Sequence, residues 1–423
     1  MAGAYYADWP SFSLGIPAAA RATAGVAAKD ELRAMPTNAA KLTFWGVRGS
    51  IPTVDQETWR YGGNTPCLEL VAPDGTLFIL DCGTGLRMLG NRWLGTYGEK
   101  VPEAHIFITH YHWDHIQGIP FFAPLYTKEN HFHFYSFRSL FLGRDSLKQV
   151  FETQMAHPYF PVDLNAMSAG RQFTEVGGGD HFEIGSTRIT ARWLNHPQGC
   201  LGFRFETRAG TVVYATDNEP GVPKLDQSLR ELAAGADIFI NDAQYMPEQL
   251  ATTRKGWGHS CWLEGIKVAE EAGAQNLVLF HHDPDSSDKI VDGILRQARE
   301  KFGAVWAASE GMVMSLGEER VEVVMPGARA GQRREAHFHA RVIGYTDEGR
   351  AFQEDTVIRD LTLQGALISL NHSPRLQSEL QVTLEAPGDQ AQGNSHLRLR
   401  GYVVRLEPGP EKDRTTVGVV FTE

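Results

Sequence analysis

Short apolar runs that stop at polar residues fill the sequence from Lys41 to about residue 325. Apolar positions three and four residues apart predict two helices, over 260–272 and 286–302. Four of the apolar runs are predicted strands: 42–46, 66–71, 75–80 and 105–109. Since strands and helices intermingle through this stretch, we predict an α/β domain.

The pattern changes after residue 325, where only strand-like pieces separated by turn-rich segments remain. Six short strands in a small domain are typical of an antiparallel β-barrel. The pieces are 338–344, 351–359, 366–370, 379–384, 396–406 and 415–421. The predicted organisation is an N-terminal extension over 1–40, an α/β domain over 41–325, a linker over 326–334 and the barrel over 335–423.

Charge and cysteine content narrow the choice of partners and compartment. Lys and Arg number 40 against 51 Asp and Glu, a net charge of -11, so we expect no broad basic surface for polymeric nucleic acid. The four cysteines are scattered without a C-x-x-C pair, which argues against disulfides or a cysteine zinc site. With no apolar run long enough to span a bilayer and no signal peptide, we expect a cytoplasmic protein without membrane contact.

A dense group of potential metal ligands directly follows the strand at 105–109. Within six positions this group contains His110, His112, Asp114 and His115. Three more candidates each follow an apolar run elsewhere in the chain: His196, Asp217 and His281. Imidazole and carboxylate are the ligands that borderline divalent cations prefer, so we expect zinc, with manganese or iron as alternatives. His281 directly ends its strand and is preferred to His282, which we place behind the ligands.

This set of residues resembles the metallo-β-lactamase superfamily in the H-x-H-x-D-H run, and Asp81 in Leu-Asp-Cys-Gly-Thr-Gly matches its first motif. The resemblance covers about residues 41–320. It implies an αββα sandwich with two divalent metal ions at one edge, Asp217 bridging them and Asp81 orienting ligands through hydrogen bonds. It also implies two ligand groups: His110, His112 and His196 for one ion, and Asp114, His115 and His281 for the other.

Two cations side by side suit in-line displacement at phosphorus, with a metal-bridging hydroxide as nucleophile. His259, in Gly-His-Ser before a predicted helix, resembles the histidine that assists the leaving group in RNase Z and related phosphodiesterases. Arg48, in Trp-Gly-Val-Arg-Gly-Ser-Ile-Pro, lies in a segment that resembles a bacterial subgroup of these hydrolases. We expect Asp114, Asp217 and His259 to be catalytic, and Arg48 and His259 to contact substrate.

The acidic net charge, and the lack of a long basic arm like the one with which RNase Z grips tRNA, favour a small substrate. We predict a phosphodiesterase acting on a small phosphodiester, with a 3',5'-cyclic nucleotide such as cAMP or cGMP as the first candidate. Aromatic residues between His115 and His196, among them Phe121, Tyr159 and Phe160, are candidates for a wall over the site. An RNase Z-like endoribonuclease and a thioesterase or lactonase remain alternatives, because they share the ligands.

The C-terminal segment resembles a PilZ domain, a family that binds cyclic di-GMP through R-x-x-x-R and [D/N]-x-S-x-x-G. His337 stands where the second Arg is expected, and Thr362 where the Ser is expected. We therefore expect a structural or dimerising barrel and a homodimer; the alternative is a cyclic di-GMP receptor for which the metal domain is a scaffold. The candidate nucleotide-binding residues are Arg333, Arg334, Asp360 and Gly365.

Overall fold

The computed structural model describes residues 38–317, 321–325, 338–346, 348–358, 360–361, 365–375, 378–385, 396–408 and 414–421. The chain divides into two compact units between Ala328 and Arg329. Residues 1–37 and 326–337, which include most of the predicted extension and linker, lie outside the described residues.

The strands of the first unit form two mixed sheets. The strands are, in chain order, β1 (Ala40–Gly46), β2 (Cys67–Val71), β3 (Leu77–Leu80), β4 (Ala104–Phe107), β5 (His131–Ser136), β6 (Gly170–Glu175), β7 (His181–Ile184), β8 (Thr187–Leu194), β9 (Cys200–Thr207), β10 (Gly210–Ala215), β11 (Ile238–Asp242), β12 (Leu277–Phe280), β13 (Val305–Ala307), β14 (Val313–Leu316) and β15 (Val321–Val324). One sheet has the order β15-β14-β1-β2-β3-β4-β5-β6 and the other β13-β12-β11-β10-β9-β8-β7.

The described residues of this unit contain seven α-helices. They are α1 (Gly85–Tyr97), α2 (Trp113–Ile116), α3 (Ser146–Gln154), α4 (Pro223–Ala233), α5 (Pro247–Ala251), α6 (Trp262–Ala272) and α7 (Asp288–Lys301). The α1 and α3 helices bury Leu89, Trp93 and Phe151 with the first sheet, whereas α4, α6 and α7 pack on the second. Side chains of both sheets, such as Phe78 and Phe205, form the core between them. The layers are therefore helix, sheet, sheet and helix.

Strand direction determines where the polar strand-end residues meet. The β3, β4, β5 and β6 strands are parallel to one another, as are β10, β11, β12 and β13. The β8 strand runs in the direction of β10, because each is antiparallel to β9. Parallel strands end at the same edge of a sheet, so the residues that follow β3, β4, β8, β10 and β12 are brought to one edge of the sandwich.

The second unit is an antiparallel sheet whose two ends approach each other. Its strands are β16 (Phe338–Tyr345), β17 (Ala351–Ile358), β18 (Asp360–Leu361), β19 (Gly365–Leu370), β20 (Glu379–Glu385), β21 (His396–Pro408) and β22 (Thr415–Phe421), in the order β17-β16-β20-β21-β22-β19-β18. Thr356 Oγ1 donates to the Ser369 carbonyl at 2.8 Å, which links β17 to β19 and nearly closes a barrel. The six predicted strands all form, and the two-residue β18 is added to them.

Buried apolar residues of alternating strand positions, such as Val342, Ile368 and Val382, fill the barrel. No helix in the described parts of the chain combines the length and the apolar composition that a bilayer span requires.

Candidate metal centre

The first group of ligands consists of three imidazoles that face one another at the sandwich edge. His110 follows β4, His112 precedes α2 and His196 follows β8. The His196 Nε2 and His112 Nδ1 atoms lie 3.0 Å apart, and the His110 ring lies within 4.7 Å of both other ring centroids. His196 Nδ1 bonds to the Gly258 carbonyl at 2.7 Å, which leaves its Nε2 lone pair for a cation. Burial lowers the pKa of His196 to about 4, so this imidazole is neutral, as a ligand must be.

The second group combines two imidazoles with a carboxylate. The Nε2 atoms of His115 and His281 lie 3.3 Å apart, and Asp114 Oδ2 is 3.3 Å from the first and 3.1 Å from the second. Gln244 Oε1 accepts from His281 Nδ1 at 2.8 Å, and the Ser50 amide donates to Asp114 Oδ2 at 2.8 Å. Burial opposes protonation of His115, but the surrounding carboxylates outweigh it and raise its pKa well above the ordinary value. This part of the site therefore attracts positive charge.

Asp217 lies between the two groups. Its Oδ2 atom is 3.5 Å from His110 Nε2 and 3.4 Å from His115 Nε2, while Oδ1 is 3.4 Å from His281 Nε2. Burial alone would raise the pKa of Asp217, but the neighbouring imidazoles hold it well below the usual range. The carboxylate therefore contacts ligands of both groups.

The spacing and chemistry of these seven side chains fit two bound cations. Ligand atoms at about 2.1 Å from a tetrahedral ion lie about 3.4 Å from one another, close to the separations observed here. His110 Nε2 is buried and has no hydrogen-bond partner among the described residues, a costly state that a metal bond would relieve. The candidate ligands also form three compact groups: His110, His112 and His196; Asp114, His115 and His281; and His110, His115 and Asp217.

Asp81 holds the ligands in place from behind. Its carboxylate accepts from His115 Nδ1 at 2.8 Å, from the Thr109 amide at 2.8 Å and from the Tyr214 hydroxyl at 2.8 Å. The backbone of Asp81 lies in the left-handed region at φ 60°, as do those of Asp217 at 55° and His281 at 59°. Such backbone is costly for residues other than glycine and is concentrated at functional sites.

His259 lies beside Asp217 and is paired with a carboxylate that the sequence analysis missed. Its Nδ1 is 2.8 Å from Asp242 Oδ2 and 3.9 Å from Asp217 Oδ2, and its ring stacks on His281 with centroids 5.0 Å apart. Burial opposes protonation, but Asp242 above all raises the pKa of His259 to about 9. Asp242 ends β11 after an apolar run, the same signal that identified Asp217 and His281.

Two glycines allow the loops to approach the ligands. A Cβ atom on Gly49 would lie 2.4 Å from His281 Nδ1, and one on Gly258 would lie 2.3 Å from His196 Nδ1. Glu219 fixes the second loop by accepting from the Gly258 amide at 2.8 Å. Both imidazoles therefore need glycine beside them.

Arg48, which we predicted to contact substrate, is held by backbone carbonyls. Its side chain is fully buried and donates to the carbonyls of Gly62, Asp283 and Ser286 at 2.8–3.2 Å. Backbone carbonyls from distant segments thus converge on the guanidinium, and these bonds indicate a structural role, while contact with substrate stays a prediction.

His282 was expected behind the metal ligands, but its hydrogen bonds go to Val47, Gly49 and Ala308. Burial lowers its pKa to about 3, and its neutral ring bonds to the Ala308 carbonyl at 2.9 Å. Its backbone pairs with that of Val47 and Gly49, so it supports the glycine loop rather than a ligand.

The candidate nucleotide-binding residues of the barrel are largely beyond description. Arg333 and Arg334 lie outside the described residues. Asp360 begins β18 and Gly365 begins β19, but only their backbones are described.

Comparisons with known proteins agree with this architecture. Residues 76–282 match the family model described as beta-lactamase superfamily domain, and residues 328–423 match the PilZ domain model. The chain is 26% identical to Ribonuclease Z of Haloarcula marismortui, with 67% of this chain and 97% of that protein covered. It is 23% identical to Ribonuclease BN of Escherichia coli, with 65% and 100% covered. The solved metallo-beta-lactamase fold protein YhfI from Bacillus subtilis is 20% identical, with a TM-score of 0.48 and coverage of 66% and 99%.

Proposed function

We propose that this chain, which combines a metallo-β-lactamase superfamily domain with a PilZ domain, is a dinuclear phosphodiesterase that hydrolyses a small phosphodiester. The predicted αββα fold, the PilZ-like barrel and the class of metal-dependent hydrolase are confirmed. The reaction and substrate are the proposal.

The observation that carries the proposal is the pairing of His259 with Asp242 next to Asp217. Hydrolysis of an alkyl phosphodiester releases an alkoxide, which needs a proton. Asp242 holds the Nδ1 proton of His259, so Nε2 is the nitrogen that delivers a proton to the departing oxygen. The two carboxylates stabilise the protonated imidazole before the reaction, and its buried position keeps the ring in one orientation.

Two divalent cations, when bound by the seven ligands, would activate water and neutralise charge on the phosphate oxygens. The chain's own contribution is to hold those ligands rigidly: Asp81 orients His115, Gln244 orients His281, and the Gly258 carbonyl orients His196. We propose zinc as the native metal, since a ligand set with five imidazoles, three of them oriented by these bonds, suits it. Metal analysis after purification without added metal would test this.

A cavity of about 440 Å³ opens onto the ligands, a volume in the range of small-molecule sites. Ser50, Trp113, Gln198 and His259 contribute to its lining. We propose a 3',5'-cyclic nucleotide as the substrate, because the cavity is small and the chain carries a net charge of -11.

RNA is the second candidate substrate. The two relatives named ribonucleases are covered over 97% and 100% of their lengths, which speaks against our expectation that polymeric nucleic acid is not bound. A local surface could bind an RNA end even on an acidic protein.

A substrate panel tests the proposal. Metal-loaded protein should hydrolyse bis-p-nitrophenyl phosphate and one of cAMP or cGMP, whereas pre-tRNA, a thioester and a lactone should react far more slowly. Asp114→Ala should reduce hydrolysis to the level of the metal-free protein. Cleavage of pre-tRNA alone would establish the second candidate, and turnover of only the thioester or lactone would overturn the phosphodiesterase.

For the barrel, we propose a structural role and assembly into a homodimer. Calorimetric titration with cyclic di-GMP and sedimentation at several protein concentrations test this. Heat of binding at micromolar ligand would favour a receptor, and a monomer at all concentrations would remove the assembly role.

A further inference from the structure

A second, smaller cavity of about 190 Å³ lies next to the metal centre. We call it the side cavity. It shares Tyr111, His112 and Gln198 with the larger cavity over the ligands, so the two cavities adjoin each other at the site. Its remaining lining differs in character, because it is mostly apolar and comes from the segment after β5: Phe137, Ser139, Phe141 and Leu142, with His110 and Gly199 completing it.

Hydrogen bonds hold the segment after β5 in a defined turn. Ser139 and Ser146 close it: the Ser139 amide donates to Ser146 Oγ at 2.9 Å, and the Gly143 amide donates to the Ser139 carbonyl at 2.8 Å. At its start, the Tyr111 hydroxyl donates to the Phe137 carbonyl, and the two rings pack with centroids 5.0 Å apart. The turn that carries Phe141 and Leu142 is therefore held in place by specific hydrogen bonds.

This turn exposes apolar surface next to the ligands. Phe141 is 76% exposed and Leu142 is 37% exposed, although both contribute to the side cavity. Exposed aromatic surface beside a site, on a turn whose backbone is fixed by hydrogen bonds, is typical of a surface that a ligand covers.

We infer that the side cavity binds a flat, apolar group, such as a nucleobase, carried on one arm of the phosphodiester. The inference rests on the proposed phosphodiesterase function and names a feature of its substrate. An acyclic phosphodiester has two separate arms; in a 3',5'-cyclic nucleotide the departing oxygen belongs to the same nucleoside, whose base stays attached to the phosphate through the ribose. His259 lines the larger cavity but not the side cavity. The arm that leaves with the proton from His259 therefore lies in the larger cavity. The side cavity, beside His110 and His112, receives the arm that stays on the phosphate.

Two diesters that share a leaving group test the inference: phenyl p-nitrophenyl phosphate and methyl p-nitrophenyl phosphate. Both release p-nitrophenol, so they differ only in the retained arm. Stacking of one ring on an aromatic side chain predicts that the phenyl ester has a kcat/KM about tenfold higher. Phe141→Ala should remove most of that ratio. Leu140→Ala is the matched control, because Leu140 is 97% exposed in the same turn and does not line the cavity.

Binding of the products separates this inference from the proposed reaction. Phenyl phosphate and methyl phosphate can be titrated calorimetrically into metal-loaded protein without turnover. Tighter binding of phenyl phosphate that Phe141→Ala abolishes would support the side cavity even if neither diester were hydrolysed, in which case only the proposed reaction fails. Equal binding of the two phosphates, or an equal loss in Phe141→Ala and Leu140→Ala, would overturn the inference.

Discussion

The two units of this chain place polar side chains by opposite rules. In the α/β unit, polar residues that follow β3, β4, β8, β10 and β12 meet at one edge, because within each sheet the strands that carry them run in the same direction. In the barrel, neighbouring strands are antiparallel, so successive strand ends lie at opposite ends of the sheet. All groups of candidate metal ligands found among the described residues accordingly belong to the α/β unit.

A buried carboxylate of the barrel, Glu354, illustrates the difference. Glu354 accepts from the Asn371 amide at 2.8 Å and from His372 Nδ1 at 2.9 Å, and the His372 ring stacks on Phe352. These bonds tie β17 to the end of β19 and satisfy the carboxylate locally. Asp217, by contrast, lies within 4 Å of imidazoles from four separate segments. The direction of the strands therefore explains why Glu354 only links neighbouring strands, whereas Asp217 lies among potential metal ligands.

The largest expected effect is that of Asp217→Asn, which tests the role of the carboxylate in the α/β unit. The amide removes the negative charge between the two ligand groups, so metal content and hydrolysis of bis-p-nitrophenyl phosphate should both fall to background. Glu354→Gln, a matched change at a buried carboxylate of the barrel, should leave both unchanged. Retained metal in Asp217→Asn, measured by elemental analysis, would contradict a bridging role.

His259→Gln should have the next largest effect, and the loss of activity should depend on the leaving group of the substrate. Loss of a positioned general acid reduces hydrolysis of a diester with an alkoxide leaving group by about 10²–10⁴-fold. A p-nitrophenolate needs no proton, so bis-p-nitrophenyl phosphate should be affected much less. Asp242→Asn should show the same dependence at smaller amplitude. Equal losses for both kinds of diester would mean that His259 positions substrate and transfers no proton.

Asp81→Asn should weaken metal binding without removing it. Loss of a carboxylate that orients a ligand histidine lowers metal affinity by about 10–100-fold. Tyr214→Phe is the control, because it removes another hydrogen bond to Asp81 and leaves the bond to His115. Competition with a chelator measures both affinities. An equal loss in the two variants would show that Asp81 acts through the packing of the core and not through His115.

The smallest effect on the site is expected from the barrel. Glu354→Gln places an amide donor against donors, and the unfolding free energy of the barrel should fall by about 1–3 kcal/mol. Denaturant unfolding followed by hydrogen exchange in β17 and β19 would detect it. An unchanged midpoint would mean that the Glu354 bonds do not close the sheet, and the contrast with Asp217 would lose its basis.

Much of this architecture was predictable from local sequence patterns. The spacing of apolar residues and the positions of turn residues predict the strand that ends at Leu80 and the six barrel strands. The predicted bounds lie within a few residues of the observed ones. The seven ligands share one signal, a polar residue directly after an apolar run or within the dense run that follows β4. Asp242 carries the same signal and was missed, because the sequence does not show that it pairs with His259.

Features that depend on distant segments were not predictable. In the sequence, Arg48 has the pattern of a polar loop residue. The carbonyls that accept its hydrogen bonds belong to Gly62, Asp283 and Ser286, and the last two are far along the chain. The aromatic residues expected to form a wall included Phe121 and Phe160, which pack on each other. The side cavity instead uses Phe141, whose position is set by the turn between Ser139 and Ser146 and by contacts with Tyr111.

Gly49 and Gly258 limit which substitutions the metal-binding edge can accept. Even alanine at either position would push an imidazole away from its place, since the added methyl group falls well inside van der Waals distance of the ring. In a saturation-mutagenesis screen, these two positions should therefore behave like the ligands themselves and tolerate no replacement. Attempts to redesign the specificity of this enzyme should vary the turn after β5 and leave both glycines untouched.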